Sequence, residues 1–426
     1  MPGTLPVRSP MREPARGPAA TRPRVPLPTW AFIALMTSLT AISALSNSLF
    51  IPSMPAMTRD LSTDAATVQL TLAVYSIGFA VAQLAWGPLI DRFGRRGSLI
   101  VGLVVYFAAS LACWLAPNVE VLVAFRLVQA FGVCCAPVAA RAVVRDLYEL
   151  REAARMLSYV SSAFALTPVL APALGAVIEE NLGWRANFLF MVAAGGVILA
   201  AALAWLPETA PKRRMPVRPS LIVASYASLI GHRTFLGYSL LVTFAFVPFF
   251  VFNSVAPFYL IEETGLTPTE FALPYATIAM WFGVSAFVAA RITHRLGIDR
   301  TILGGALVCV AGATLEAGLI FAGVANVFAL CGAMSLYSFG AGFVFPNSQA
   351  GAVAPFPDRA GAAAALNGFL QMTLAALLGV LVMQIYDGSP IPMAIFIVVF
   401  AAAALPPYVL LILRRRRPSP AYRSDG

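Results

Sequence analysis

The chain has 426 residues, of which 59% are hydrophobic and only 11% charged, with a mean hydropathy of +0.81. So little polar side chain cannot cover a water-soluble surface, which excludes a soluble globular protein and specifies one that crosses a membrane many times. The formal charge of +10 invites a nucleic-acid reading, but 26 of the 29 Lys and Arg residues fall on one side when the apolar runs are threaded with the amino terminus inside; that is the positive-inside bias.

Each crossing needs about 20 apolar residues, since the hydrocarbon core is about 30 Å thick and a helix rises about 1.5 Å per residue. Residues 1–29 are rich in Pro, Arg and Ala and lack a short apolar stretch with a small-residue cleavage site, so they read as a disordered cytoplasmic tail. The first apolar run, 30–51, is expected to stop at Pro52 and Pro55, which remove helical donors. Runs at 68–90 and 98–116 flank the hydrophilic stretch Gly87-Pro88-Leu89-Ile90-Asp91-Arg92-Phe93-Gly94-Arg95-Arg96. Rods joined so tightly must be antiparallel neighbours, and the three arginines place this hinge on the inner side. The fourth run, 120–141, carries Arg126 and Gln129, and leads through Arg145-Asp146 to a fifth at 154–178 containing Pro168, Pro172 and Gly175. A sixth ends near Leu206.

Residues 207–234 form the longest internal polar segment, with Lys212, Arg213, Arg214 and Arg218, and read as a cytoplasmic linker between one set of six runs at 30–206 and another at 235–413. The second set lies at 235–260, 270–292, 301–322, 327–350, 361–386 and 391–413, and Arg414 to Arg417 open an inner tail at 414–426. A shift of 203 positions overlays Arg92 on Arg295, Gly94 on Gly297 and Gly102 on Gly305, with Asp91 replaced by His294. A glycine and an arginine recurring in the same loop of each half favour two parallel repeats. The fold expected is therefore all-α, with twelve transmembrane helices in two pseudo-symmetric six-helix bundles.

Arg126 lies about 9 Å along its helix from Glu120. A guanidinium at that depth costs roughly 2.5–3.5 kcal/mol on insertion scales, and intramembrane charges usually face a wet interior. It is read as a cavity group for substrate or coupling, the bland alternative being an arginine snorkelling to the interface. Tyr75, Phe79, Tyr238, Phe246, Phe250 and Tyr337 are candidates for an apolar cavity wall, against ordinary packing or lipid contact. Asn347, Asn367 and Gln371 either meet substrate or hydrogen-bond between helices. Trp30, Trp86 and Trp184 stand near span ends, as interface anchors do. Cys113, Cys134, Cys135, Cys309 and Cys331 all fall in apolar runs and read as small packing residues. Metal spacing is absent and the two histidines, His232 and His294, are in inner loops, so neither a metal, a cofactor nor an enzyme is expected.

Gly87 to Arg96 resembles the signature loop of the major facilitator superfamily. Several segments resemble its Bcr/CflA drug-efflux branch: Phe125-Arg126-Leu127-Val128-Gln129-Ala130 with Ala140 to Tyr148, Leu170-Ala171-Pro172-Ala173-Leu174-Gly175 with Gly183-Trp184-Arg185, and Phe345-Pro346-Asn347 with Asn367-Gly368-Phe369-Leu370-Gln371. The resemblance spans both halves. It implies a monomeric transporter of the bacterial inner membrane, both termini cytoplasmic, whose central cavity opens alternately to each side and exports small organic compounds in exchange for protons. Gly87, Asp91, Arg92, Gly94, Arg95, Arg96, Arg145 and Asp146 would form the conformational gate, and Pro168, Pro172 and Gly175 an antiporter-type kink. One departure bears on coupling. Relatives carry a carboxylate in the first span where Asn47-Ser48 stands here, with Ser48 in the carboxylate's place. The carboxylate left well inside a span is Glu316, either a proton carrier or an interfacial acid satisfied by its surroundings. A metabolite exporter and an uncoupled facilitator are the competing readings.

Overall fold

The computed structural model describes residues 27–164, 166–210 and 219–412, and all regular structure among them is helical. The expected tails, apart from residues 27–29, and the basic centre of the linker at 211–218 lie outside the described residues.

Helix α1 (Thr29–Ser48), a 3-10 turn at Ile51–Ser53 and α2 (Met54–Asp60) form one rod of 32 residues. Pro52 and Pro55 do not stop it as expected. Each sits in the first turn of the segment it begins, where a missing N–H leaves no acceptor unpaired. α3 (Ala65–Phe93) and α4 (Arg95–Trp114) meet at one residue, Gly94, whose φ of +100° suits glycine. The hinge expected over ten residues thus contracts to a point. Gly87 is inside α3 with no atom within 4 Å of where a Cβ would sit, so it is not the close helix contact its place in the loop suggested.

α5 (Val119–Leu147) is followed by α6 (Leu150–Phe164) and α7 (Thr167–Leu182). At 15 and 16 residues neither crosses a bilayer alone, and together they take the place of the expected continuous fifth span. Residue 165, between them, lies outside the described residues, and Pro168 stands in the first turn of α7, where its missing N–H costs no helical bond. α8 (Trp184–Trp205) completes the first half. Part of the expected linker is helical, as α9 (Pro219–Ile230).

In the second half α10 (Arg233–Pro257) ends in a π-helical turn at Phe258–Glu263, and α11 (Pro268–Leu296) meets α12 (Ile298–Phe321) at Gly297, φ +80°. α13 (Val327–Val353), α14 (Ala360–Gln384), α15 (Ile391–Ala403) and α16 (Leu405–Leu411) follow, the last two parted at Ala404. Eleven stretches among the described residues are long and apolar enough to cross a membrane, and α6 with α7 supplies the further crossing.

Repetition at Gly94 and Gly297 extends into the packing. α4 lies on α5 and α12 on α13, each pair brought together by glycines. A Cβ at Gly132 would fall 2.8 Å from the Gly102 carbonyl, and one at Gly340 would fall 2.5 Å from that of Gly305. Such contacts let backbones approach where lipid offers no hydrophobic drive to associate. The halves meet where α3 runs along α14 and α7 along α11. All five cysteines are buried and free, as packing residues should be. Trp30 is 74% exposed, but Trp86 and Trp184 are not the lipid anchors their span-end positions suggested. Both are buried because their indole N–H groups find internal acceptors, at Phe131 O (2.8 Å) and Asp60 Oδ2 (2.9 Å).

Candidate functional site

Arg126 is wholly buried among α1, α3, α5 and α8, so it does not snorkel. Its Nη1 donates to Gln129 Oε1 (2.6 Å) and Ser46 O (3.0 Å), and its Nε to Thr71 O (3.3 Å). The guanidinium carbon lies 4.2 Å from the ring centroid of Tyr75 and 4.3 Å from that of Phe50. Among the described residues no carboxylate pairs with it. Cation–π contacts reach about 2 kcal/mol when desolvated and hydrogen bonds from a charged donor about 1.5–3 kcal/mol, enough together to offset the insertion cost. Its Nη2 has no acceptor among the described residues. The charge is held, and one donor is left over.

The residues that hold it are themselves fixed. Gln129 Nε2 donates to Ser110 Oγ (2.8 Å), Ser46 shares a hydrogen bond with Tyr106 Oη (2.7 Å), and Tyr75 Oη donates to Ser43 O (2.8 Å). Phe79 stacks on Tyr75 at 6.5 Å. Asn47, half-buried beside Ser46, has an Oδ1 that no donor meets, while Ser48 engages neither Arg126 nor Gln129. Phe50, Phe188 and Ser46 belong to this cluster and were not legible beforehand, because hydropathy does not tell which face of an apolar helix turns inward.

In the second half the expected wall residues divide. Phe246 joins Phe249, Phe282 and Phe345 in a chain of rings with Phe246–Phe345 at 6.0 Å and Phe282–Phe345 at 5.6 Å, and Tyr337 touches Phe249 at 5.4 Å. Phe250 packs instead against Gly379 at the seam. Tyr238 is not a wall residue: its ring is enclosed between Gly351 and Tyr408. Asn347 bridges helices, accepting from Thr293 Oγ1 (3.2 Å). Asn367 and Gln371 are buried on α14, and Asn367 Oδ1 has no donor. Glu316 is fully buried on α12, and among the described residues neither carboxyl oxygen has a partner.

At the hinge face Arg95 gathers the charges. Its guanidinium meets Asp91 (2.7 Å) and Asp146 (3.1 Å), and its backbone N–H donates to Glu208 Oε1 (2.8 Å). Glu208 was missed; it lies 113 residues from Arg95 and touches the point where a Cβ on Gly94 would stand. Burial alone would raise its pKa, yet N–H groups of Ala210, Arg95, Arg96 and Thr209 hold the carboxyl below its ordinary value. Arg96 Nη2 caps the end of α8 at Leu203 O (2.8 Å). Arg92 and Arg145 stay outside this network, over the Phe93 ring and on Arg141 O respectively.

The opposite face closes differently. Gln69 Nε2 donates to Ser254 Oγ (3.0 Å), and Thr269 N donates to Glu180 Oε1 (2.8 Å), so α3 is tied to α10 and α7 to α11. Gly175 on α7 sits so close to the end of α1 that a Cβ would collide with the Leu49 carbonyl.

The description "Major Facilitator Superfamily" fits a family model over residues 36–380. The chain is 31% identical over 346 residues to Multidrug resistance protein D of Escherichia coli (strain K12), covering 79% of this chain and 84% of that one. It is 31% identical over 358 residues to the Chloramphenicol resistance protein of Pseudomonas aeruginosa, covering 83% and 84%. Among solved structures, the bacterial homolog of the human lysosomal transporter Spinster in its inward-facing and occupied conformation superposes with a TM-score of 0.71 at 14% identity, covering 92% of this chain and 99% of that one. At that identity the likeness concerns the fold alone.

Proposed function

The chain belongs to the Major Facilitator Superfamily, with relatives of the Bcr/CflA type, and from that premise we propose that it exports small amphipathic drugs or related organic compounds across the bacterial inner membrane by alternating access. The observation that carries the reading is Arg126: a buried guanidinium, sandwiched by Tyr75 and Phe50, with an unused Nη2. Aromatic faces suit the apolar body of an amphipathic solute, and the spare donor suits one polar group on it. The ring chain around Phe345 supplies a matching apolar surface from the second half.

Residues 30–206 and 235–413 act as the two rocking bundles, with both termini and the Gly94 and Gly297 hinges cytoplasmic. Closure by Gln69–Ser254 and Glu180–Thr269 then marks an outer face sealed while the hinge face opens. Exchange requires these bonds to break, which single hydrogen bonds worth about 1–3 kcal/mol allow. Coupling requires a group that gains and loses charge, which a guanidinium does not. We assign that task to Glu316, an enclosed carboxyl with no partner among the described residues.

Expression in a host lacking its own pumps tests the reading, with chloramphenicol accumulation measured with and without an uncoupler. The expected result is lower accumulation that rises when the gradient is dissipated. Lower accumulation insensitive to the uncoupler would replace antiport by facilitated diffusion. No effect over a broad drug panel would reject drug export in favour of metabolite export.

A further inference from the structure

The two hinges are alike in backbone and differ in how their charges are paired. In the first, Asp91 and Asp146 neutralise Arg95. The same shift of 203 residues that overlays Gly94 on Gly297 puts His294 at the position of Asp91 and Ile298 at that of Arg95, and adds Arg291 where the first half has Pro88. The second hinge therefore has Arg291 and Arg295 without a carboxylate at the place of Asp91, while Asp299 falls where the first half has Arg96.

Arg291, His294 and Arg295 are exposed and line, with Phe287, Ala290 and Ile292, a shallow open cleft along one face of α11. None of the three forms a salt bridge among the described residues. Arg291 is held by a cation–π contact, its guanidinium carbon 3.6 Å from the Phe287 ring centroid, which leaves its N–H groups free to bind an anion. The nearby acid Asp299 has its Oδ1 engaged by Tyr408 Oη at 2.7 Å.

The cleft also has a direction. Leu273, Met280, Val284 and Phe287 are 65%, 47%, 42% and 62% exposed, and their spacing puts them on one stripe of α11 that ends at Arg291 and Arg295. An apolar stripe inside the bilayer that terminates in unpaired cations matches the shape and charge of a phospholipid: acyl chain along the stripe, phosphate at the arginines.

We propose that this cleft binds the headgroup of an anionic phospholipid, whose phosphate stands in for the Asp91 carboxylate that His294 replaces in the second hinge. The site is independent of the transported solute and of the coupling ion. A lipid phosphate there neutralises Arg291 and Arg295 and steadies α11 against α12.

The test uses the full-length protein purified in a neutral detergent. Phosphatidylglycerol is titrated while the thermal midpoint is followed, with phosphatidylcholine and inorganic phosphate as the other arms. The parent should be stabilised by phosphatidylglycerol only. Each removed cation should weaken that affinity about fivefold, so the double variant Arg291→Gln/Arg295→Gln should lose about 25-fold, whereas Arg151→Gln, an exposed arginine on α6, should lose little. Equal stabilisation of parent and double variant would overturn the proposal, and an equal response to inorganic phosphate would overturn the lipid in favour of a soluble anion. Should the double variant not fold, the parent answers alone. Trp281 is 42% exposed beside the stripe, and its fluorescence, obtained by difference from Trp281→Phe, should be quenched more by brominated phosphatidylglycerol than by brominated phosphatidylcholine. Equal quenching would sink the assignment.

Discussion

Gln69 Nε2 and Ser254 Oγ, 185 residues apart, are 3.0 Å from each other across the seam between the halves. With Glu180–Thr269 this bond closes one face, and a neutral hydrogen bond biases an equilibrium by about fivefold. The double variant Gln69→Leu/Glu180→Ala is expected to open that face. Spin labels at Glu120 and Phe328, both at helix starts on it, should report a distance distribution shifted to longer values; an unchanged distribution counts against a latch.

Gly94 and Gly87 should separate cleanly. Alanine at Gly94 must adopt a φ of +100° and strike the Glu208 carboxylate, at a cost of about 1–2 kcal/mol, whereas alanine at Gly87 meets open space. Thermal unfolding in detergent should therefore show a lowered midpoint for Gly94→Ala and almost none of that loss for Gly87→Ala.

Removing Arg126 leaves Ser46 O, Thr71 O and Gln129 Oε1 without their donor, each worth about 1–3 kcal/mol when buried. Arg126→Ala should abolish drug export. Arg126→Lys keeps the charge but not the planar stacking between Tyr75 and Phe50, and should reduce export by about tenfold or more while the protein still reaches the membrane. Wild-type resistance in the lysine variant would remove Arg126 from the site.

Glu316→Gln preserves shape and removes the titrating group. In proteoliposomes with an imposed pH gradient, the variant should carry substrate down its own gradient but fail to respond to the proton gradient. A full response would transfer coupling elsewhere.

The acid limb of stability should involve Glu208. Its carboxyl is held below the ordinary value by backbone N–H groups, so the unfolded chain takes up the proton first. That contribution is complete above about pH 4.3 and is lost as pH falls through the lower folded value. Melting midpoints measured from about pH 6 down to about pH 3 should fall less steeply in Glu208→Gln than in the parent.

The places of the crossings, the hinge, the repeat at Gly94 and Gly297 and a charge buried at Arg126 were all written in the sequence. Each follows from polarity along one dimension: about 20 apolar residues make a span, and an arginine among them stands out whatever surrounds it. The fifth span was half legible, since Pro168 and Pro172 were visible but only the fold puts Pro168 in the first turn of α7 and Pro172 inside it. What only the tertiary structure decided is which side chains meet. Arg95 finds Glu208 from 113 residues away, Gln69 finds Ser254 from 185, and Phe50 and Phe188 rather than Tyr238 gather near the charge. A helix in a bilayer is apolar all round, because lipid and protein core accept the same side chains, so hydropathy gives its position in the chain and leaves its rotation to packing.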